Sequence, residues 1–238
     1  MAQQAGGLTD AQFLEDPNFS NRTRNWFSVD WKLWAAQFKH KFSSKTDFSL
    51  QFFGLDAQRD AVGFRTNRVS QVDDLDAPRD LLKGTFQNWG SEARFLHRYH
   101  IANRNAVLLL GSKFYKSKNQ ALQGAGSNGA NADFTLQEEE FPFYPNQSSF
   151  DFPNLNWAFF GEHIFYLNNK FSITPGFRFE YIKTESEGTF RSIDFDLAGN
   201  PLRNELFTDD RTFERNKLLL GVGSVSYTHL TLPTTPYV

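Results

Sequence analysis

The stretch from Phe171 to Glu185, FSITPGFRFEYIKTE, constrains the fold more than any other part of the chain. Every second residue is apolar: Phe171, Ile173, Pro175, Phe177, Phe179 and Tyr181. The residues between them are Ser172, Thr174, Gly176, Arg178 and Glu180. Successive side chains on a strand point to opposite faces, so one face of this segment is greasy and the other is wet.

The same alternation predicts about seven strands. Residues 25–42 set Phe27, Val29, Trp31 and Leu33 against Ser28, Asp30 and Lys32. Residues 48–55 follow the turn SSKTD. Residues 86–100 set Trp89, Ala93, Phe95 and Tyr99 against Asn88, Glu92, Arg94 and Arg98. Residues 106–116 follow the turn IANRN. Residues 154–167 set Leu155, Trp157, Phe159 and Phe165 against Asn156, Glu162 and Tyr166. The stretch 171–184 follows NNK, and 216–224 is the last strand. No segment longer than a turn or two has helical periodicity.

Three connections are short turns and three are long and polar, at 56–85, 117–153 and 185–215, in strict alternation after an initial loop at 1–24. Structureless loops of that length are uncommon in a soluble sandwich. Short turns on one side and long loops on the other are the ordinary pattern of an outer-membrane β-barrel. The fold expected is therefore all-β, an antiparallel transmembrane barrel, with the chain starting outside.

Composition agrees with rationing of apolar residues to alternate positions. The chain carries 27 Phe and a single Met, yet its mean hydropathy is −0.52. Its longest apolar runs, such as AVLLLG at 106–111, fall far short of the ~18 residues a spanning helix needs. The net charge of −2 gives no basic excess for nucleic acid, and the absence of cysteine excludes disulfides and thiolate metal sites. The N-terminus has neither the basic start nor the apolar core of a signal peptide.

Position along the strands adds detail. Trp89, Trp157 and Tyr181 fall near the outer ends on the apolar face, Phe27 takes the equivalent place on the first strand, and Tyr99 and Phe165 lie at the opposite ends. Amphipathic rings favour the membrane boundary, where barrels carry aromatic girdles. Glu92, Arg94, Glu162, Arg178 and Glu180 then face the lumen. On the lipid face each such charge near mid-membrane would cost about 2–4 kcal/mol, with Arg the more costly.

Several long segments resemble one family. GLTDAQF…NRTRNWF…VDW, TDFSLQFFGLDAQRDAVGFRTNRVSQVD, NWGSEARFLHRY, FPNLNWAFFGEHIF and ITPGFRFEYIKTESEGTFRSIDFDLAGNP are similar to the barrel of TonB-dependent outer-membrane receptors of the ferric-dicitrate type, as found in Bacteroidetes-like bacteria. The resemblance covers residues 1 to 224. It implies a barrel of about 22 strands, a plug domain, a TonB box that couples to an inner-membrane motor, and import of a ferric siderophore or similar chelate. The partners implied are that ligand, TonB through the plug, outer-membrane lipid and lipopolysaccharide. The chain departs from the family by having no plug, TonB box or signal sequence. About seven strands cannot close such a barrel, so an internal piece of a longer gene product is expected, which transports nothing by itself. Val225 to Thr235, VSYTHLTLPTT, resembles one reading frame of a transposase-type sequencing adapter. Residues 225–238, His229 included, are assigned no function.

Other chemistry is sparse. His97 and His100 point to opposite faces of one strand. EEE at 138–140 and DDLD at 73–76 suit calcium but read as solvated loop charge. QGAGSNGAN at 123–131 lacks the βαβ context of a phosphate loop. Ser, His and Asp show no catalytic spacing, so neither catalytic residues nor a cofactor is expected. An anionic chelate needs cations on the outer side. Arg22, Arg24, Arg59, Arg65 and Arg68 are candidates there, with Gln58 and Asn67 as added hydrogen-bonding groups. From the residues alone, a passive porin-like barrel and a soluble β-rich binding protein remain as alternatives.

Overall fold

The computed structural model describes residues 1–3, 6–20, 22–66, 68 and 71–226. One antiparallel sheet runs through them in chain order: a two-residue β1 (Ala2–Gln3), then β2 (Trp26–Lys41), β3 (Thr46–Gly63), β4 (Arg79–Ile101), β5 (Arg104–Gly126), β6 (Ser148–Asn168), β7 (Phe171–Phe195) and β8 (Pro201–Ser226). A short helix, α1 (Asp10–Glu15), precedes β2 and starts with a capping box between Thr9 and Gln12. Among the described residues the sheet stays open: β8 pairs only with β7.

The register shows what each face carries. Directly paired residues share a face, so Trp89 stands with Gly54 and Trp34 on one side and with Lys116 and Leu155 on the other. On this first face, β4 presents Trp89, Ser91, Ala93, Phe95, His97 and Tyr99. β7 presents Ile173, Pro175, Phe177, Phe179 and Tyr181, and β8 presents Leu218, Leu220 and Val222. Inward of the pair Trp89–Lys116, as far as the pair Tyr99–Ala106, this belt of the face holds no Asp, Glu, Lys or Arg. Its side chains stand open, Trp157 at 58% and Leu218 at 64% exposure. From Trp89 to Tyr99 the strand climbs ~33 Å, or about 25 Å of height at a tilt near 40°, the height of a barrel's apolar band. The second face carries Glu92, Arg94, Lys113, Glu162, Arg178 and Glu180.

Beyond the aromatic row at Trp89 the strands continue outward, and the first face turns polar with Lys83, Thr85, Lys116, Lys118, Lys183 and Glu185. This extension corrects the expected loop bounds. The connection expected at 185–215 is mostly strand: β7 and β8 run on as a hairpin closed by Asp196–Asn200, where Gly199 takes φ +85°. The other outer loops shorten to 64–78 and 127–147. Where both faces are wet, alternation of apolar residues disappears although the ladder persists. At the other end, Ala102 and Asn103 both have positive φ, the conformation of a tight two-residue hairpin turn.

Two prolines sit inside strands, and the ladder accommodates them. Pairing of β6 to β7 skips Pro153, and it skips Pro175 as well, each a residue with no N–H to donate. Val225 and Ser226 complete β8 against Ser172 and Phe171; the remainder of the adapter-like segment, from residue 227, lies outside the described residues.

Candidate functional site: the outer mouth of the lumen face

On the charged face, near its outer end, the sheet forms a concave cavity of about 660 Å³. Small residues make its floor: Ala61, Gly84 and Ala121, all on the second face. Aromatic rings stand around them. Phe86 lies against Gly84, where an added Cβ would come within 3.2 Å of the ring, and Phe27 and Phe152 complete the wall. Phe152 stacks on Phe150 at 5.9 Å.

Two arginines reach this cavity. Arg59 pairs with Val29 and Gly84 in the sheet, and its guanidinium has no ion-pair or hydrogen-bond partner among the described residues. Arg65, exposed at the start of the 64–78 loop, lies close enough to Asp80 to stabilise its carboxylate. Burial nevertheless dominates at Asp80, which sits outward of the apolar belt, and pushes its pKa above the usual carboxylate range. Tyr144 donates its hydroxyl to the same carboxylate, strapping the 127–147 loop across the end of β4.

The loops are held by two buried arginines. Arg24, 3% exposed, forks onto Asp73 at 2.6 and 2.9 Å and donates to the carbonyls of Asp74, Leu75, Ala77 and Asn128. Arg79, fully buried, donates to the carbonyls of Arg24, Ser127 and Asn131 and to the Ser127 hydroxyl. In the 127–147 loop Asp133 is held below the usual carboxylate range, first by hydrogen bonding to Thr135. The same loop folds over the first face, where Leu136 Cδ1 occupies the space 2.4 Å from where a Gly124 Cβ would be.

The expected ligand residues therefore separate. Arg59 and Arg65 line the cavity. Arg24 is consumed by loop contacts, and Arg22, 5% exposed, lies over the Phe64 ring at 5.1 Å; neither lines it. Gln58 falls on the first face, donating to Asp60 at 2.7 Å. Arg68 is exposed in the 64–78 loop, and Asn67 lies outside the described residues. Asp80 and Tyr144 were not among the expected site residues: a lone Asp at a strand start and a Tyr in a polar loop carry no local signal.

Deeper in the same face, a second hollow of about 700 Å³ gathers Glu92, Arg94, Lys113, Glu162 and Arg178. Arg94 pairs with Glu92 at 2.5 Å, Lys113 approaches Glu92 at 3.9 Å, and Arg178 pairs with Glu180 at 2.6 Å. Arg178 also lies over Phe160 at 5.4 Å. Among the described residues no group of three or more His, Cys, Asp or Glu could hold a metal ion.

The aromatic residues expected at the boundary also divide. Trp89, Trp157, Tyr181 and Tyr99 share the first face. Trp157 pairs directly with Tyr181 and with Phe114, and its indole N–H donates to Ser112 at 3.0 Å. Phe114 lies 5.2 Å from Trp89. Tyr99 meets His163 at 2.5 Å at the other end of the belt. Phe27 corrects the expectation. It pairs with Ala61, which pairs with Leu82, so it stands on the second face, together with Val29, Trp31 and Leu33. The place in the girdle belongs to Trp34.

No family model matches the sequence, and no curated protein matches it. Among solved structures, the chain is similar to that described as the crystal structure of ferric citrate transporter FecA in the unliganded form. The TM-score is 0.65 and the identity 16%, over 96% of this chain and 29% of that one. The chain thus spans less than a third of that transporter's length. What the two share is fold: this chain folds as part of the wall of an antiparallel β-barrel.

Proposed function

We propose that this chain is part of an outer-membrane receptor that binds a ferric chelate on the outside and imports it with energy delivered through TonB. The observation that carries the reading is the two-faced sheet. A belt free of charged residues backs a lumen face whose outer mouth holds an unpaired Arg59. Likeness to a ferric citrate transporter supports the cargo class. Outer-membrane lipid meets the belt, and lipopolysaccharide meets the polar extensions above it. The chain carries no catalytic role in this scheme. The lumen charges line a path rather than a reaction centre.

Uptake of radiolabelled iron as ferric citrate, by iron-starved cells with and without the gene that encodes this chain, tests the reading. Uptake that requires the gene and stops when the proton gradient is collapsed supports a TonB-driven receptor. Gene-dependent uptake indifferent to the gradient replaces it with a passive barrel.

A further inference from the structure

Resting on the receptor reading, the geometry points to a more specific cargo: we infer that the outer cavity takes an anionic ligand bearing a flat aromatic ring, rather than a small, wholly polar polycarboxylate.

The argument starts from the floor. A small polar anion is best held by donors that converge on it from every side, the floor included. Here Asn25, Asn119, Gln123 and Ser148 reach the lining from the sides, but the floor is Ala61, Gly84 and Ala121, which offer no side-chain donor. Gly84 leaves its strand flat beneath Phe86, and Phe27 and Phe152 stand to the sides. The apolar wall continues beyond the cavity. Trp31, 54% exposed, pairs with Ala57, and Ala57 pairs with Phe86. Large rings facing a wet lumen over small residues offer their faces and edges to a ring, and offset or edge-on aromatic pairs are favourable beyond their buried area.

Charge selects the rest of the ligand. Arg59 rises from the middle of this wall with no carboxylate partner among the described residues, and Arg65 stands at its rim. Asp80, the carboxylate lining the cavity, is bonded by Tyr144 and faces Arg65. Lys83 projects from the opposite face and donates to the Phe134 carbonyl. An uncommitted guanidinium amid aromatic rings suits an arene with an acidic oxygen, through a charge-assisted hydrogen bond and stacking of the guanidinium plane.

Titration calorimetry on the protein in detergent-solubilised outer membranes, with three probes, tests this: ferric 2,3-dihydroxybenzoate, ferric citrate, and 2,3-dihydroxybenzoate without iron. The ferric dihydroxybenzoate complex is expected to bind at least tenfold more tightly than ferric citrate. Phe86→Leu should weaken the aromatic complex about tenfold and leave ferric citrate unchanged. Gly84→Val, whose side chain would press on the Phe86 ring and shift it, should act in the same way. Arg59→Gln should weaken both complexes about tenfold or more. Heat-modifiable migration on gels verifies that each variant is folded. Ferric citrate binding as tightly as the aromatic complex, with Phe86→Leu and Gly84→Val indifferent, overturns the inference and leaves the receptor reading intact. Iron-free dihydroxybenzoate binding while both ferric complexes fail supports the aromatic anion and overturns the ferric cargo. No binding by any probe overturns both.

Discussion

The indole of Trp34 lies across Gly54, and a Cβ on Gly54 would stand 2.3 Å from the Trp34 ring. Gly54 is in turn paired with Trp89. The glycine lets two large rings share one level of the outward face, and Phe114, Trp157 and Tyr181 continue that level across β5, β6 and β7. Gly54→Val should push the Trp34 indole off the sheet and cost about 1 kcal/mol. Urea titration of the protein folded into lipid vesicles, followed by tryptophan fluorescence, measures this. The paired substitution Gly54→Val with Trp34→Ala should lose much less through crowding than the two single changes summed.

The two loop-holding arginines are expected to be the most sensitive polar positions outside the belt. Arg79 donates to three carbonyls and one hydroxyl from a fully buried site. Arg79→Leu leaves those acceptors without their donor and should cost roughly 3 kcal/mol. Because the acceptors belong to the 127–147 loop and to the segment before β2, limited proteolysis should cut the loop earlier while the belt strands stay protected.

Asp80 gives the outer mouth a pH dependence. Its carboxyl titrates above the ordinary range because it is buried, so the folded protein holds the proton more tightly than the unfolded chain does. Stability near Tyr144 should therefore fall as pH rises from the unfolded carboxylate value through the higher folded one. Asp133, shifted the other way, contributes stability that is present at neutral pH and lost as pH falls through its lowered value. Asp80→Asn, which keeps an acceptor for Tyr144, should remove the first slope and leave the second. Hydrogen exchange of the 127–147 loop against pH checks both signs.

Charge placement should separate the faces of β7. Phe179 is in the belt and 43% exposed on the first face, whereas Thr174 lines the charged hollow on the second. Phe179→Arg should cost about 2–4 kcal/mol in vesicles. Thr174→Arg should stay within about 1 kcal/mol. Equal costs for the two would contradict the assignment of faces.

Much of this architecture is legible in the alternation itself, and the places where reading fails have physical causes. In β7 a single parity runs from Ile173 to Tyr181, because one face belongs to the apolar belt along that whole length. In β2 the apolar residues change face between Leu33 and Trp34. Below this step Trp34, Ala36 and Phe38 occupy the belt; above it Phe27, Val29, Trp31 and Leu33 face the lumen. Period-two counting that starts at Phe27 therefore carries the wrong face. The outer hairpin of β7 and β8 hides for the opposite reason: with water on both sides, residues 185–215 need no alternation, and only the ladder reveals the strands. Nothing local distinguishes Arg59, open to the lumen, from Arg24, which is committed to Asp73 and four carbonyls. That difference depends on contacts 49 or more residues apart, such as Arg24 with Asn128.

The central claim is that the odd-numbered residues of β7 in the belt face lipid and the even-numbered ones face a wet lumen. The chain has no cysteine, so single cysteines at Phe177, Arg178, Phe179 and Glu180 can each carry a nitroxide label without background. In lipid vesicles, labels at 177 and 179 should collide with dissolved oxygen, and labels at 178 and 180 with a water-soluble nickel chelate. Alternation of that sense is the result predicted. Nickel access at all four positions, or the reverse alternation, would contradict the account.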